Sequence, residues 1–462
     1  MAEGKALAQH VMQYRAAISN FPFPNTQVDN RPKPQVEMLA FASRRDFARL
    51  MKTRHFAAFA QPGLRSTMLV LAPAGGRESL YRNARHEYTH YHLRNHATGF
   101  PVWFDEGLAV MLEYLEFSDG DTHARLNTRA LFNRYHGTLA QPRKPSLEKM
   151  LNTPRVEAWQ AKHLPRFYGL MGQLVHMLYF GHEVGLPDFR SALQSYLTSR
   201  NNNVPASLQS THSELGRHLM AYHRKQKPAF EIELIPPNEA LQITPMTAVE
   251  SDQAVASAIE EANPKRAVAL YKKVVKAPNH TADNWVDLAR AQMGMGDRGA
   301  AEKSMAKAQS LLETPNANYL LQQAVMVTRL CDFNDLANCH VVWRKASNIV
   351  REALELDPDR IDGLYLQGVL ALYRGKPGTG VNYLRAAHRY APWSPKISFH
   401  LGECLRVLGD PSARIHLENA VAWWGDPRWR SMAELALQKA SAATQEIAAN
   451  TPTQSDSLDS VR

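Results

Sequence analysis

His86, Glu87 and His90 stand in the run His86-Glu87-Tyr88-Thr89-His90, inside a stretch that reads as helix. Two His four residues apart on a helix share one face, about one turn apart. Both imidazoles can then reach one Zn²⁺, which takes N or O ligands in a tetrahedral site. Glu87 projects beside such an ion without having to ligate it. From there it can take a proton from a zinc-bound water. Hydrolysis by a metal-activated water is the chemistry these types and spacings predict.

A tetrahedral catalytic site needs three protein ligands and one open position. Downstream runs Pro101-Val102-Trp103-Phe104-Asp105-Glu106-Gly107-Leu108-Ala109, continuing to Glu113-Tyr114. Pro101 suits the first turn of a new helix, and the apolar positions after it keep helical spacing. Glu106 is therefore expected near the start of a second helix, joined to the first by a loop around Asn95–Gly99. His96, ten residues after His86, is the rival third ligand. A third His there requires a sharp turn in between, for which Gly is suited and Leu93 is not. His92 and His96 otherwise belong beside the site or on the helix surface.

The run W-F-D-E-G-L-A at Trp103–Ala109, with Glu113 seven residues after Glu106, resembles the second zinc helix of gluzincin peptidases. Aminopeptidase-N-like enzymes carry W-L-N-E-G-F-A there. The chain is more similar to the peptidase-MA-like group, which joins an H-E-Y-T-H helix to a W-x-x-E-G-x-A helix and often adds tetratricopeptide (TPR) repeats. The resemblance covers roughly residues 35–200. It implies zinc on His86, His90 and Glu106, with Glu87 as general base. Fifteen residues separate His90 from Glu106, against about eighteen in the familiar aminopeptidases, so the connecting loop is shorter. No G-x-M-E-N signature precedes the site; the nearest segment is Gly75-Gly76-Arg77-Glu78-Ser79. Nothing therefore points to capture of a substrate amino terminus.

Gluzincins of the aminopeptidase type steady the oxyanion with a Tyr about sixty residues beyond the ligand Glu, and Tyr168 lies sixty-two residues after Glu106. Its ordinary role would be as a core aromatic near the start of the Phe167–His176 helix. His176, two turns on, is either a further cleft residue or a satisfied core His. Glu113 is expected on nearly the same helix face as Glu106, able to fix the tautomer of a ligating His, or else on the helix surface. Asp105 is the less attractive candidate, being rotated about 100° from Glu106. Ser66–Ala72 reads as a strand. By resemblance, it or the Pro73–Gly76 turn lines the cleft as an edge that pairs with extended substrate.

The 462 residues predict two or three domains, and 44% hydrophobic content gives each a core. No run of eighteen apolar residues exists, so no transmembrane helix is expected. Met1–Asn20 reads as an amphipathic helix instead of a signal peptide, which places the chain as written in the cytoplasm. Related proteins begin with strands and an export signal, so the start is expected to be incomplete, and a periplasmic or exported location follows if it is. The formal net charge is +10, spread along the chain without a nucleic-acid motif, and reads as a solvated basic surface. Cys331, Cys339 and Cys404 show no C-x-x-C pattern and read as small buried hydrophobes, not as a disulfide.

A repeat is written into the second half. Pro358 and Pro392, Gly368 and Gly402, Gly375 and Gly409, and Ala386 and Ala420 are each 34 residues apart. That period, with small residues at helix crossings, is the TPR signature. The frame slips by about eleven residues around Leu330–Trp343. About four helical pairs are expected. Stacked pairs form a superhelix whose concave surface holds a peptide or partner, or they serve only as a spacer. The expected fold is an α+β zincin-like metallopeptidase domain over 1–230, a linker at 231–249 with a short strand at Phe230–Ile235, an all-α TPR solenoid over 250–440, and a disordered tail at 441–462. The expected function is zinc-dependent hydrolysis of a peptide or protein substrate, with the repeats binding a protein partner. The alternative is an interaction scaffold with a vestigial or structural zinc site.

Overall fold

The computed structural model describes residues 2–23, 35–52, 57–64, 66–73, 75–96, 100–117, 122–134, 147–151, 164–199, 212–228, 230–234, 246–331, 335–423 and 427–450. The chain forms two compact units, Met1–Gln322 and Gln323–Arg462.

The first unit opens with α1 (Ala2–Ile18), β1 (Gln35–Ala40), α2 (Arg44–Met51), β2 (Ala58–Pro62) and β3 (Ser66–Leu71). β3 pairs with β1 in parallel and with β2 antiparallel, so it is the middle strand. This corrects the expectation that Ser66–Ala72 is a substrate-pairing edge. Both of its hydrogen-bonding sides are taken, by long-range pairings that its own residues do not specify.

β3 alternates as a strand must. Leu69 and Leu71 enter a core with Leu7, Tyr14 and Ile18 of α1, while Val70 and Ala72 face Phe47 and Met51 of α2. The second face also covers Ala256, Ile259, Leu270 and Tyr271, and Asn263 Nδ2 donates to the Leu50 carbonyl at 3.2 Å. The first helical pair of the array is thus packed on the sheet. The boundary between units falls inside the array.

α3 (Arg77–His96) and α4 (Val102–Leu112) follow β3. Gly76 at φ +94° turns the chain into α3. Ser79 Oγ receives the Gly75 N–H at 2.8 Å and donates to the Gly76 carbonyl at 2.9 Å. Pro101, extended at φ −65° and ψ 146°, is the N-cap of α4, one position before the expected first turn. β4 (Leu115–Glu116), β5 (His123–Leu126) and β6 (Glu231–Glu233) make a second, antiparallel sheet. β6 lies in the stretch expected as a short strand. Between β5 and β6 come α5 (Thr128–Arg134), α6 (Leu147–Leu151), α7 (Leu164–Phe180), α8 (Arg190–Ser199) and α9 (His212–His223).

The helical array begins with α10 (Ala248–Ile259), α11 (Pro264–Val274), α12 (Ala282–Gly294) and α13 (Arg298–Ser310). α14 (Ala317–Thr328) spans the unit boundary. The second unit continues with α15 (Leu336–Leu356), α16 (Ile361–Tyr373), α17 (Pro377–Tyr390), α18 (Pro395–Val407), α19 (Ala413–Trp423) and α20 (Pro427–Asn450). Each repeat explains its small residues. A Cβ on Gly368 would lie 2.5 Å from Leu384 Cγ, and one on Gly402 would lie 2.7 Å from Leu417 Cγ. Gly375 and Gly409 both stop their helices at φ +72°, and Gly296 does so at +80°. Among the described residues, α10 with α11, α12 with α13, α16 with α17 and α18 with α19 are TPR-like helical hairpins.

The slip in the frame lies between α14 and α16, where α15 runs to 21 residues. Cys331 and Cys339 are disulfide-bonded there, with Cα atoms 4.6 Å apart, and Cys404 is free and buried. The expectation of three unpaired cysteines is corrected: the end of α14 and the start of α15 bring two of them together across eight residues of sequence. α20 extends to Asn450, into the stretch expected as a tail; 451–462 lie outside the described residues. No helix of the described residues is long and apolar enough to cross a membrane.

Candidate metal centre

The α3–α4 hairpin gathers the chemistry. His86 Nε2 and His90 Nε2 are 3.1 Å apart, and Glu106 Oε2 lies 3.4 and 3.6 Å from them. They form the group among the described residues that could hold a metal ion. An ion about 2.0–2.1 Å from each of three tetrahedral ligand atoms sets those atoms about 3.3 Å apart, which matches this triangle.

The outer nitrogens show which tautomer is present. His86 Nδ1 donates to Glu113 Oε1 at 2.7 Å, and His90 Nδ1 donates to Asp105 Oδ1 at 2.8 Å. Ionised carboxylates only accept, so both Nδ1 atoms carry hydrogen. In neutral rings the two Nε2 lone pairs then face each other and a carboxylate oxygen. Glu106 Oε2 is buried and has no hydrogen-bond partner. Three electron-rich atoms in one buried corner call for a cation.

Without an ion the protons respond. Burial pulls His86 down, but the nearby Glu106 carboxylate, the hydrogen bond to Glu113 and the charges of Glu113 and Glu87 outweigh it, holding the ring well above its ordinary value. His90 is likewise opposed by burial, yet Asp105 and Glu106 raise it to about 9. Burial pushes Glu106 up, and the two His rings overcome that and hold it below the usual carboxylate range. Glu87 is buried next to this set.

The sequence positions these groups through close packing. A Cβ on Gly107 would meet the Met171 carbonyl oxygen at 2.6 Å, and one on Gly172 would meet Val110 Cγ1 at 2.7 Å. α4 and α7 therefore touch backbone to backbone. That contact brings the Tyr168 ring edge-on to His86, with centroids 6.1 Å apart. Arg85 supports the far side. It donates to the Glu113 carbonyl at 2.7 Å, to Glu78 at 2.7 Å and to His10 Nε2 at 2.8 Å. Burial, helped by the Arg85 charge, holds His10 at about 3, so it stays a neutral acceptor.

Other expected residues lie elsewhere. His176 is wholly buried, hydrogen-bonded to Tyr222 at 2.7 Å, and belongs to the core between α7 and α9. Tyr88 packs with Tyr14 and Tyr91. Tyr14 donates to Thr89 Oγ1 at 2.6 Å, since the Thr89 hydroxyl is spent on the Arg85 carbonyl. His92 is buried against Phe23. His96 ends α3, and its side chain lies outside the described residues. Asp105 corrects the sequence reading: a rotation of about 100° on α4 takes it away from Glu106 but brings it to the second imidazole. Arg85 and His10 escaped sequence reasoning altogether, since no motif joins residues 75 positions apart.

No family model matches the chain, and no curated protein matches it. Among solved structures it is similar to a thermophilic TPR protein of Thermus thermophilus, at 16% identity and TM-score 0.36, over 41% of this chain and 100% of that one. It is similar to pilF of Pseudomonas aeruginosa at 16% identity and TM-score 0.32, over 45% of this chain and 93% of that one. YrrB, a TPR protein with an unusual peptide-binding site, matches at 14% identity and TM-score 0.27, over 40% of this chain and 91% of that one.

Proposed function

We propose that the first unit is a zinc metallopeptidase of the gluzincin, peptidase-MA-like type, with a zincin-like fold, and that the TPR-like repeats hold a protein partner or the substrate. The carrying observation is the triangle of His86 Nε2, His90 Nε2 and Glu106 Oε2, with edges of 3.1, 3.4 and 3.6 Å. When bound, Zn²⁺ supplies a Lewis acid and lowers the pKa of the attacking water. Glu87 takes the proton of that water and passes it to the leaving amine. The Tyr168 hydroxyl donates to the oxygen on which charge develops. Asp105 and Glu113 hold the two imidazoles by their Nδ1–H groups, so that both Nε2 lone pairs face the ion. Turnover of casein by the wild type, with none by Glu87→Gln at equal zinc content, tests the reading.

The second reading is an interaction scaffold with a structural or vestigial zinc site. The TPR-like array, which makes up much of the chain, favours it. Two features oppose it. A structural site closes with four protein ligands, whereas the described residues offer three. A structural site also has no use for Glu87.

A further inference from the structure

Two buried hydrogen bonds join α1 to α3. Tyr14 Oη donates to Thr89 Oγ1 at 2.6 Å, and Arg85 Nη1 donates to His10 Nε2 at 2.8 Å. Both bonds join residues 75 positions apart, so the two partners on each helix are four residues apart. Four residues advance a helix by about 6 Å and bring it round by about one turn. One rotation and one offset of α1 against α3 therefore satisfy both bonds. Apolar packing alone sets such a register loosely, because it is non-directional. The His10 ring is also stacked on Tyr81, one turn before Arg85, with centroids 4.1 Å apart.

Arg85 carries that register to the metal set. It is 3% exposed, and each of its three nitrogens serves a different segment. Nη1 goes to His10 on α1, Nη2 donates to Glu78 in the first turn of α3 at 2.7 Å, and Nε donates to the Glu113 carbonyl just past α4 at 2.7 Å. Glu113 in turn receives the Nδ1–H of His86 at 2.7 Å. Thr89, next to His90 in the chain, donates to the Arg85 carbonyl at 2.8 Å. A buried guanidinium is costly to desolvate, and apolar side chains of similar size would hold the helices together at least as firmly. What the directional network adds is a single arrangement of them.

We propose that His10 and Tyr14 are positioning residues of the metal centre. Through Arg85 and Thr89 they fix α3 about its axis, and so fix where His86 and His90 present their Nε2 atoms. This rests on the reading that His86, His90 and Glu106 hold zinc, and it does not require hydrolysis. A zinc–nitrogen bond of about 2.0–2.1 Å tolerates little rotation of the helix that carries both imidazoles.

Zinc affinity of the full-length protein, read by chelator competition, and the visible spectrum of the Co²⁺-loaded protein test this. His10→Leu should weaken zinc binding by about tenfold, the lower end of what direct partners of zinc ligands give, and should shift the Co²⁺ bands. His10→Gln, whose side-chain oxygen can receive the Arg85 N–H, should return both to wild-type values. Tyr14→Phe removes one hydroxyl and keeps the ring. It should weaken zinc binding in the same direction, and it carries the test if His10→Leu does not fold. Leu219→Ala, at a buried residue of α9 outside this network, should lower the melting temperature and leave zinc affinity unchanged. Wild-type affinity in Tyr14→Phe or in folded His10→Leu, a His10→Gln protein no better than His10→Leu, or an equal loss in Leu219→Ala would overturn the proposal and leave the zinc set standing. A wild type that binds no metal would remove both.

Discussion

Asp105 Oδ1 receives the Nδ1–H of His90 at 2.8 Å, from the residue next to Glu106, whose own Oε2 faces the Nε2 of the same ring at 3.6 Å. One turn of α4 thus grips both nitrogens of one imidazole. Partners of this kind orient a ligand and raise its basicity. Asp105→Ala is expected to weaken zinc binding by about tenfold to a hundredfold, read by competition with a chromogenic chelator. An unchanged affinity would show that the contact does not orient His90.

Tyr168 stands edge-on to His86, where a phenol can meet developing charge. Tyr168→Phe is expected to lower kcat by roughly tenfold to a thousandfold, with zinc content and melting temperature little changed. A lower melting temperature with kcat intact would make Tyr168 a packing residue and nothing more.

Gly107 leaves no room for a methyl group, since the obstacle at 2.6 Å is the Met171 backbone oxygen and not a side chain that can swing away. Gly107→Ala is expected to cost about 1–3 kcal/mol in urea unfolding and to separate α4 from α7. Zinc affinity and kcat should fall together, because Glu106 and Tyr168 ride on those two helices. Full stability in the variant would mean that the helices can part freely.

His176 gives a pH dependence. Burial, and then the charge of Lys227, lower it from 6.5 to about 3. The unfolded chain therefore takes up a proton that the folded chain refuses. The stability this group contributes is complete above pH 6.5 and is lost progressively as pH falls from there toward 3. By about pH 5 the loss should be on the order of 2 kcal/mol. His176→Asn, which still offers Tyr222 a polar partner, should lose that much less over the same range in urea titrations. Parallel curves for the two proteins would contradict it.

The sequence shows what depends on local spacing. His86 and His90 share a face because four residues make about one turn, and Gly375 and Gly409 adopt the same φ because they fill one place in a 34-residue repeat. Glu106 was legible through a resemblance to a second zinc helix. Contacts that depend on distant partners were not legible. Rotation about α4 alone dismissed Asp105, although α3 lay where that rotation pointed. Ser66–Leu71 reads as a strand, but nothing in it says that β1 and β2 take both its sides. The Cys331–Cys339 bond joins two residues that no motif pairs, and the packing of Ala256 and Ile259 on Val70 and Ala72 depends on residues some 190 positions apart.

Zinc per chain, measured on purified full-length protein, tests the central claim most directly. The wild type and Glu87→Gln should each hold about one Zn²⁺, because Glu87 is not a ligand. His90→Ala and Glu106→Ala should lose most of it, and His96→Ala should keep it. A wild type without zinc, or a Glu106→Ala protein fully loaded while His96→Ala is empty, would contradict the assignment of His86, His90 and Glu106.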